Sequence, residues 1–243
     1  MSKRFKGSIS IFFLATSFFM MFTTEHTRAL GDYILEFIGL RSWTGEYIGT
    51  HLTIFYFLPL TVLGLFLVNK YAIRGWGIKG RNVLIIFVVL IIGFTSVTNI
   101  TAKIIKRNSD GLLSIGFDSE SSIISFESED MKYTEFNANI VMTNYGKEER
   151  KFYLTIVSPF PDSEKDMLLN VYKKSGERAI FRLKGNETKT FKIDLDNYDV
   201  GKNIHSSVIS GEGSIEEIIL VDVNSNNKVK LNRNNFFGTE LNR

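Results

Sequence analysis

The sequence predicts an α-helical membrane region of three transmembrane helices followed by an all-β sandwich domain. Three apolar runs free of Asp, Glu, Lys and Arg fill 7–24, 52–68 and 83–102, and from about Asp110 the hydrophobic period changes from helical to two. Charge divides the 243-residue chain at the same place: residues 1–107 hold 12 basic and 4 acidic side chains, net +8, whereas 108–243 hold 17 and 22, net −5. The expected boundaries are a membrane region over 1–107, a sandwich over 108–235 and a polar tail over 236–243.

Each run approaches the roughly 20 residues needed to cross a hydrocarbon core of about 30 Å. The third reads VLIIFVVLIIGF, apolar on every face, unlike a helix with one side in water. Short loops rich in Lys and Arg stay cytoplasmic, so the basic residues set the direction. Lys3, Arg4 and Lys6 precede the first run, and Lys70, Arg74, Lys79 and Arg81 lie without any acid between the second and third. The connection between the first two runs sets Arg28 and Arg41 against Glu25, Asp32, Glu36 and Glu46. This pattern puts the N-terminus inside and the C-terminal half outside. Lys103, Lys106 and Arg107 oppose it from the side assigned as external, one basic cluster against two. The first run also has a second reading. MSKRFKG, an apolar stretch and Thr27-Arg28-Ala29 match a secretory signal cleaved after Ala29, with the same sidedness for the rest.

Within the connection, Leu30, Tyr33, Ile34, Phe37 and Ile38 recur at helical spacing while Asp32 and Glu36 share another face, the pattern of a short interfacial helix. Tyr33, Trp43 and Tyr47 are expected at headgroup depth, where amphipathic rings are favoured. Across the membrane, Lys70, Arg74, Lys79 and Arg81 with Trp76 form a basic turn suited to anionic lipid. Gly75, Gly77 and Gly80 in that turn have the spacing of a dinucleotide fingerprint. They lie between two spans, however, and not between a strand and a helix that would receive a pyrophosphate.

In the second half, Phe136, Ala138, Ile140 and Met142 alternate with mostly polar neighbours. After the turn Asn144-Tyr145-Gly146, Phe152, Leu154 and Ile156 alternate again, which predicts a hairpin. Phe181 and Leu183, a turn over 185–188, then Phe191, Ile193 and Leu195 predict a second hairpin. Segments 113–117, 123–126, 218–223 and 229–231 bring the total to about eight short strands, as in a sandwich or barrel. Segment 163–174 reads two ways: Ser163 and Asp166 as caps of a short helix, or Leu169, Val171 and Tyr172 as a hairpin arm before Ser175-Gly176. With TNYG closing one strand, FYLTIVSP as its partner and GNETKTFKIDL as a later arm, residues 110–235 resemble the immunoglobulin-like modules of bacterial envelope proteins. The resemblance implies a fold and nothing more, because the Cys, Trp, Cys framework of antibody domains is missing and both tryptophans lie in the first half.

The lack of cysteine removes disulfides, thiolate nucleophiles, zinc–thiolate sites and iron–sulfur clusters. Asp222, Asn224 and Asn226 match the first ligands of a calcium loop, but Asn227 replaces its glycine and Arg233 its closing acid, so a polar hairpin turn is expected. Asp194, Asp196 and Asp199 form a second acidic group with oxygens for a weak Ca²⁺. His205, Ser206 and Ser207 have the residue types of a Ser-His-acid site without its elbow motif, and read as an exposed loop. His26, Asp32, Glu36 and His51 include metal-ligand types yet read as interfacial, and Asn186-Glu187-Thr188 is a formal glycosylation acceptor.

No ionisable side chain interrupts a span, so an ion relay is not expected. The expectation is a non-catalytic, multi-pass cell-membrane protein with no cofactor or metal. Its external sandwich would bind a protein or cell-wall partner while its helices and basic turn meet membrane lipid. Nucleic acid is not an expected partner of an external domain of net −5. The alternative is an accessory or regulatory subunit of a transport, secretion or sensing complex, with Thr61, Gly64, Gly93, Thr95 and Ser96 supplying helix contacts.

Overall fold

The structure, a computed structural model, describes residues 2–45, 49–129, 132–158, 168–200 and 210–241. The chain divides into two compact units, Met1–Ala102 and Lys103–Arg243. The first holds α1 (Lys3–Phe19), α2 (Leu30–Phe37), α3 (Thr53–Leu67), a π-helical continuation of α3 (Val68–Trp76) and α4 (Gly80–Arg107) up to Ala102. Among the described residues, two helices are long and apolar enough to cross a membrane: Thr53–Trp76, of 24 residues, and Gly80–Arg107, of 28. At 17 residues α1 is shorter, and it starts at an N-cap where Ser2 Oγ accepts the Phe5 N–H at 3.2 Å.

Small residues set the packing of α1 on α3 and its continuation. A Cβ at Gly64 would fall 3.0 Å from Leu14 Cα, and one at Gly7 would fall 3.2 Å from Ala72 Cα, so the backbones touch closely at both points. The hydroxyls of Ser10, Ser17 and Thr61 donate to carbonyls of their own helices, Gly7 at 2.8 Å, Leu14 at 3.1 Å and Phe57 at 3.1 Å, and so cost the contact no unpaired polar group. The turn expected over 69–81 is mostly helical. The π segment extends to Trp76, Gly77 ends it in the left-handed region at φ +79°, and α4 begins at Gly80.

The second unit opens with the last turn of α4 and a 3₁₀ turn, Gly111–Ser114. Its strands are β1 (Ile115–Glu129), β2 (Lys132–Asn144), β3 (Arg150–Val157), β4 (Leu168–Lys173), β5 (Ile180–Leu183), β6 (Thr188–Asp194), β7 (Tyr198–Val200), β8 (Ser210–Ser214), β9 (Glu217–Asp222), β10 (Lys228–Asn232) and β11 (Asn235–Leu241). They form two antiparallel sheets, one ordered β6-β2-β1-β8, the other β11-β10-β9-β3-β4-β7 with β5 also on β3. One core joins them: Phe126, Phe136, Ile140 and Met142 from the first sheet meet Phe152, Leu154, Leu183 and Leu220 from the second. Lys106 is buried in this unit with its Nζ donating to the carbonyls of Leu113 at 2.8 Å, Ile115 at 2.6 Å and Phe237 at 3.2 Å, which uses all three ammonium protons.

Both predicted hairpins are corners between the sheets. β2 pairs with β1 and β6, whereas β3 pairs with β9, β4 and β5. After Asn144 the chain leaves one sheet and enters the other at Arg150, and between Leu183 and Thr188 it crosses back. Alternation reports that a strand has one buried face, and strands facing each other across a core share that property with strands side by side. The two corners are tied together. The Asn144 N–H donates to Glu187 O and the Asn186 N–H to Gly146 O, both at 2.9 Å.

Two further departures concern boundaries, and one open alternative is settled in part. Segments 113–117 and 123–126 are not two strands: Leu113 sits in the 3₁₀ turn, and β1 runs continuously from Ile115 through an irregularity between Asp118 and Ile123. There Ser122 Oγ accepts the Val141 N–H at 2.9 Å, replacing a ladder bond. The expected polar tail over 236–243 is a strand through Leu241, because Lys228 to Asn232 offers an edge on which β11 pairs. In segment 163–174 the hairpin reading holds for β4, whose Lys173 N–H donates to Glu177 O at 2.8 Å across the turn, while Ser163 and Asp166 lie outside the described residues.

Candidate functional site

Among the described residues of the first unit, the densest polar arrangement is built on α2 and the segments on either side of it. Asp32 and Glu36 stand one turn apart on α2, and Arg28, just ahead of the helix, reaches the same side to pair with both. Gly31 brings that side in close, since a Cβ there would lie 2.5 Å from Met20 O and 2.6 Å from Thr53 Cγ2. Asp32 is completely buried. Its Oδ1 accepts from His51 Nε2 at 2.7 Å and from the Thr53 hydroxyl at 2.5 Å, and its Oδ2 accepts from Trp43 Nε1 at 3.2 Å and lies 3.5 Å from Arg28 Nε. Arg28 also pairs with Glu36, and Ser42 bridges the two by accepting from Arg28 at 3.0 Å and donating to Glu36 at 2.6 Å. Trp43 stacks on His51 with centroids 4.4 Å apart, and the two residues bridge their backbones antiparallel.

The electrostatics follow from burial. A desolvated carboxylate is costly unless paired and hydrogen-bonded, and Asp32 meets three hydrogen-bond donors and the Arg28 charge. Burial lowers the Arg28 pKa, but Glu36 and Asp32 outweigh it and hold the guanidinium above its usual value. Burial raises the Tyr33 phenol, against the opposing pull of the Arg28 charge 5.6 Å from its ring. With its lone pairs occupied by donors and a guanidinium between it and Glu36, Asp32 has no free edge for a cation. The four metal-ligand types in this stretch are thus brought together only in part. Asp32 and His51 meet, Arg28 separates Asp32 from Glu36, and His26 lies 3.7 Å from Glu25. What the arrangement does is fix the α1–α3 connection: one carboxylate ties Arg28, Trp43, His51 and Thr53 to α2.

The other residues singled out in the sequence are dispersed. Tyr33 is exposed on α2, Trp43 is half-buried with its indole N–H on Asp32, and Tyr47 lies outside the described residues. Lys70, Arg74, Lys79 and Arg81 are exposed along the π segment and the start of α4, with Lys70 Nζ 5.2 Å from the Tyr71 ring. Trp76 is half-buried against Gly7, whose added Cβ would reach its Cε3 at 2.9 Å. In the second unit, Asp222 Oδ1 accepts the N–H groups of Asn224 and Ser225 at 2.9 and 2.7 Å and the Ser225 hydroxyl at 3.0 Å, the polar turn of the β9–β10 hairpin. Asp194 accepts from Asn197 at 2.9 Å and Asp199 pairs with Lys174 at 3.2 Å, so these acids turn to different neighbours. His205, Ser206 and Ser207 lie outside the described residues. The sequence reading overlooked Arg28 and Thr53 as partners of Asp32, and Ser42 as the bridge between Arg28 and Glu36. The four-residue spacing of Arg28, Asp32 and Glu36 was the available signal.

Comparison with family models, with curated proteins and with solved structures gives no match.

Proposed function

We propose that this chain is a multi-pass cell-membrane protein, N-terminus cytoplasmic, whose immunoglobulin-like sandwich stands outside the membrane and binds a protein or cell-wall partner without catalysis. One observation supports the reading above others. Large exposed apolar side chains crowd α1 to α4, whereas the described strands of the second unit expose only Ile123, Leu168 and Ile180. Such a partition suits a lipid-embedded region joined to a water-exposed module. On this reading α1 is a third span, its 17 residues extended by the turn through Met20 and Met21. Trp76 with Lys70, Arg74, Lys79 and Arg81 meets cytoplasmic-leaflet headgroups, and Tyr33, Trp43 and Tyr47 lie near the opposite surface.

A second reading, an accessory or regulatory subunit of a transport, secretion or sensing complex, draws on the helices. Thr61 and Gly64 are used within the chain, against Ser17 and Leu14. By contrast α4 meets α1 through Phe87 and Phe94 on Phe18, Phe12 and Phe19, while most of its apolar surface stays exposed and a Cβ added at Gly93 would meet no neighbour within 4 Å, which leaves that surface open to a partner helix. Exchange of α1 to α4 for one unrelated anchor separates the readings. Crosslinked partners of the second unit that persist after the exchange support the first, and their loss supports the second. Recovery of no partner above background from the intact chain overturns the binding function itself.

A further inference from the structure

The polarity of α2 is inverted with respect to water. Its side toward the rest of the unit carries Gly31, Asp32 and Leu35, all buried, together with Glu36 held by Arg28 and Ser42. Its outer side carries Tyr33, Ile34, Phe37 and Ile38, with Phe37 90% and Ile38 60% exposed. A helix standing in water turns its acids outward and its phenylalanine inward. Here both carboxylates are engaged by internal donors, although Glu36 keeps 44% of its side chain exposed, and of the outer residues named only Tyr33 carries a polar atom, its phenol.

We infer that Ile34, Phe37 and Ile38 form an apolar wedge that seats α2 in the hydrocarbon of the adjacent leaflet, with the buried Asp32 cluster as the clamp that holds the wedge in that orientation. Lipid is the occupant that the surroundings favour. Exposed apolar side chains also stand nearby in the chain, at Leu40 after α2 and at Ile54 and Phe55 at the start of α3. α2 also lies in the connection between α1 and α3, tied to the end of α1 by the Gly31 N–H donating to Met20 O at 3.0 Å and to the start of α3 by Thr53 on Asp32. An element fastened to two apolar helices at their ends cannot stand away from the surface those helices enter. The clamp gives the wedge its particular chemistry. A carboxylate facing lipid is expensive, and the three donors and the Arg28 charge around Asp32 offset that cost, leaving Ile34, Phe37 and Ile38 as an apolar arc beside the Tyr33 ring.

This inference rests on the membrane reading proposed above, and the experiment separates the two. The chain has no cysteine, so single nitroxide labels are placed on Phe37→Cys and Ile38→Cys, with Leu63→Cys on α3 and Ser175→Cys in the β4 turn as references. The full chain is reconstituted in vesicles of phosphatidylethanolamine and phosphatidylglycerol. Collision with oxygen, which concentrates in hydrocarbon, is compared with collision with a water-soluble nickel chelate. The expected result is an oxygen preference at 37 and 38 several-fold above that at 175 and close to that at 63. Nickel preference at 37 and 38 with oxygen preference at 63 overturns the wedge and leaves the membrane reading intact. Protection of 37 and 38 from both reagents overturns lipid as occupant in favour of a protein surface. Nickel preference at 63 overturns the membrane reading and the wedge with it. Because Phe37 is almost fully exposed, its replacement leaves the fold unchanged, and Ile38→Cys provides an independent second position.

Discussion

Asn144 shows how much one side chain can carry. It is fully buried, its Nδ2 donates to Glu148 O at 2.7 Å and Leu183 O at 3.2 Å, and its Oδ1 accepts the Gly146 N–H at 3.0 Å. Asn144→Asp keeps the shape, removes both donors and adds a buried charge. The expected cost is about 2–4 kcal/mol, read as a fall in the denaturant midpoint of the second unit within the full chain. An unchanged midpoint would mean that the corner does not depend on this amide. Asp222 makes a prediction about acid. Burial raises its pKa, but the Ser225 and Asn224 N–H groups, the Ser225 hydroxyl and the Arg150 charge outweigh that and hold it below the usual carboxylate value. A depressed folded pKa stabilises above the unfolded value of about 3.9, and the contribution disappears as pH falls through the lower folded value. The stability gap between the parent and Asp222→Ala should therefore be constant near neutrality and narrow in strong acid, as measured by urea unfolding across that range. Sequence made the Asp222 turn legible because Asp, Asn and Ser at short spacing bond their own backbone. It left the Asp32 cluster hidden, since Ser42, His51 and Thr53 come from separate parts of the connection and only folding assembles them.

At the level of elements, the period-two pattern located β2, β3, β5 and β6 correctly and paired them wrongly. The missing information was in the turns. Gly185 is held where an added Cβ would lie 2.0 Å from Lys147 O, a backbone atom that cannot yield, and this contact joins the two corners. No alternation rule records such an approach, because it links residues on two separate turns. Gly185→Ala should destabilise the second unit toward the upper end of the ~1–3 kcal/mol typical of overpacking. Gly93→Ala on α4, where an added Cβ would meet no atom within 4 Å and alanine favours the helix, should not destabilise the same chain in thermal unfolding. If both substitutions are neutral, the corner-to-corner contact is not a determinant of the fold. The helices were more legible than the strands for a physical reason: charge-free runs identify themselves one at a time, whereas strands are defined by partners. Even so, Gly77 at φ +79° ends a helical extension that the basic residues of 69–81 had suggested was a loop.

For the molecule as a whole, the unresolved conflict in the sequence was the group Lys103, Lys106 and Arg107, which argues against an external C-terminal half. The structure gives Lys106 a different reason to be basic. Buried in the second unit with three carbonyls around its Nζ, it satisfies acceptors at the start of β1 and in β11 and is not a free loop charge. The topogenic weight on that side falls to Lys103 and Arg107, against Lys3, Arg4 and Lys6 and against Lys70, Arg74, Lys79 and Arg81. The proposed sidedness therefore predicts a labelling pattern in intact cells. Ser175→Cys, in the exposed turn after β4, should react with a membrane-impermeant maleimide, while Lys79→Cys, in the exposed turn before α4, should react only after lysis. The reverse pattern, with both variants reactive after lysis, would place the two-sheet unit in the cytoplasm. Lys103 and Arg107 would then be the charges that decide insertion, and the search for a partner would move from the cell surface to the cytoplasm.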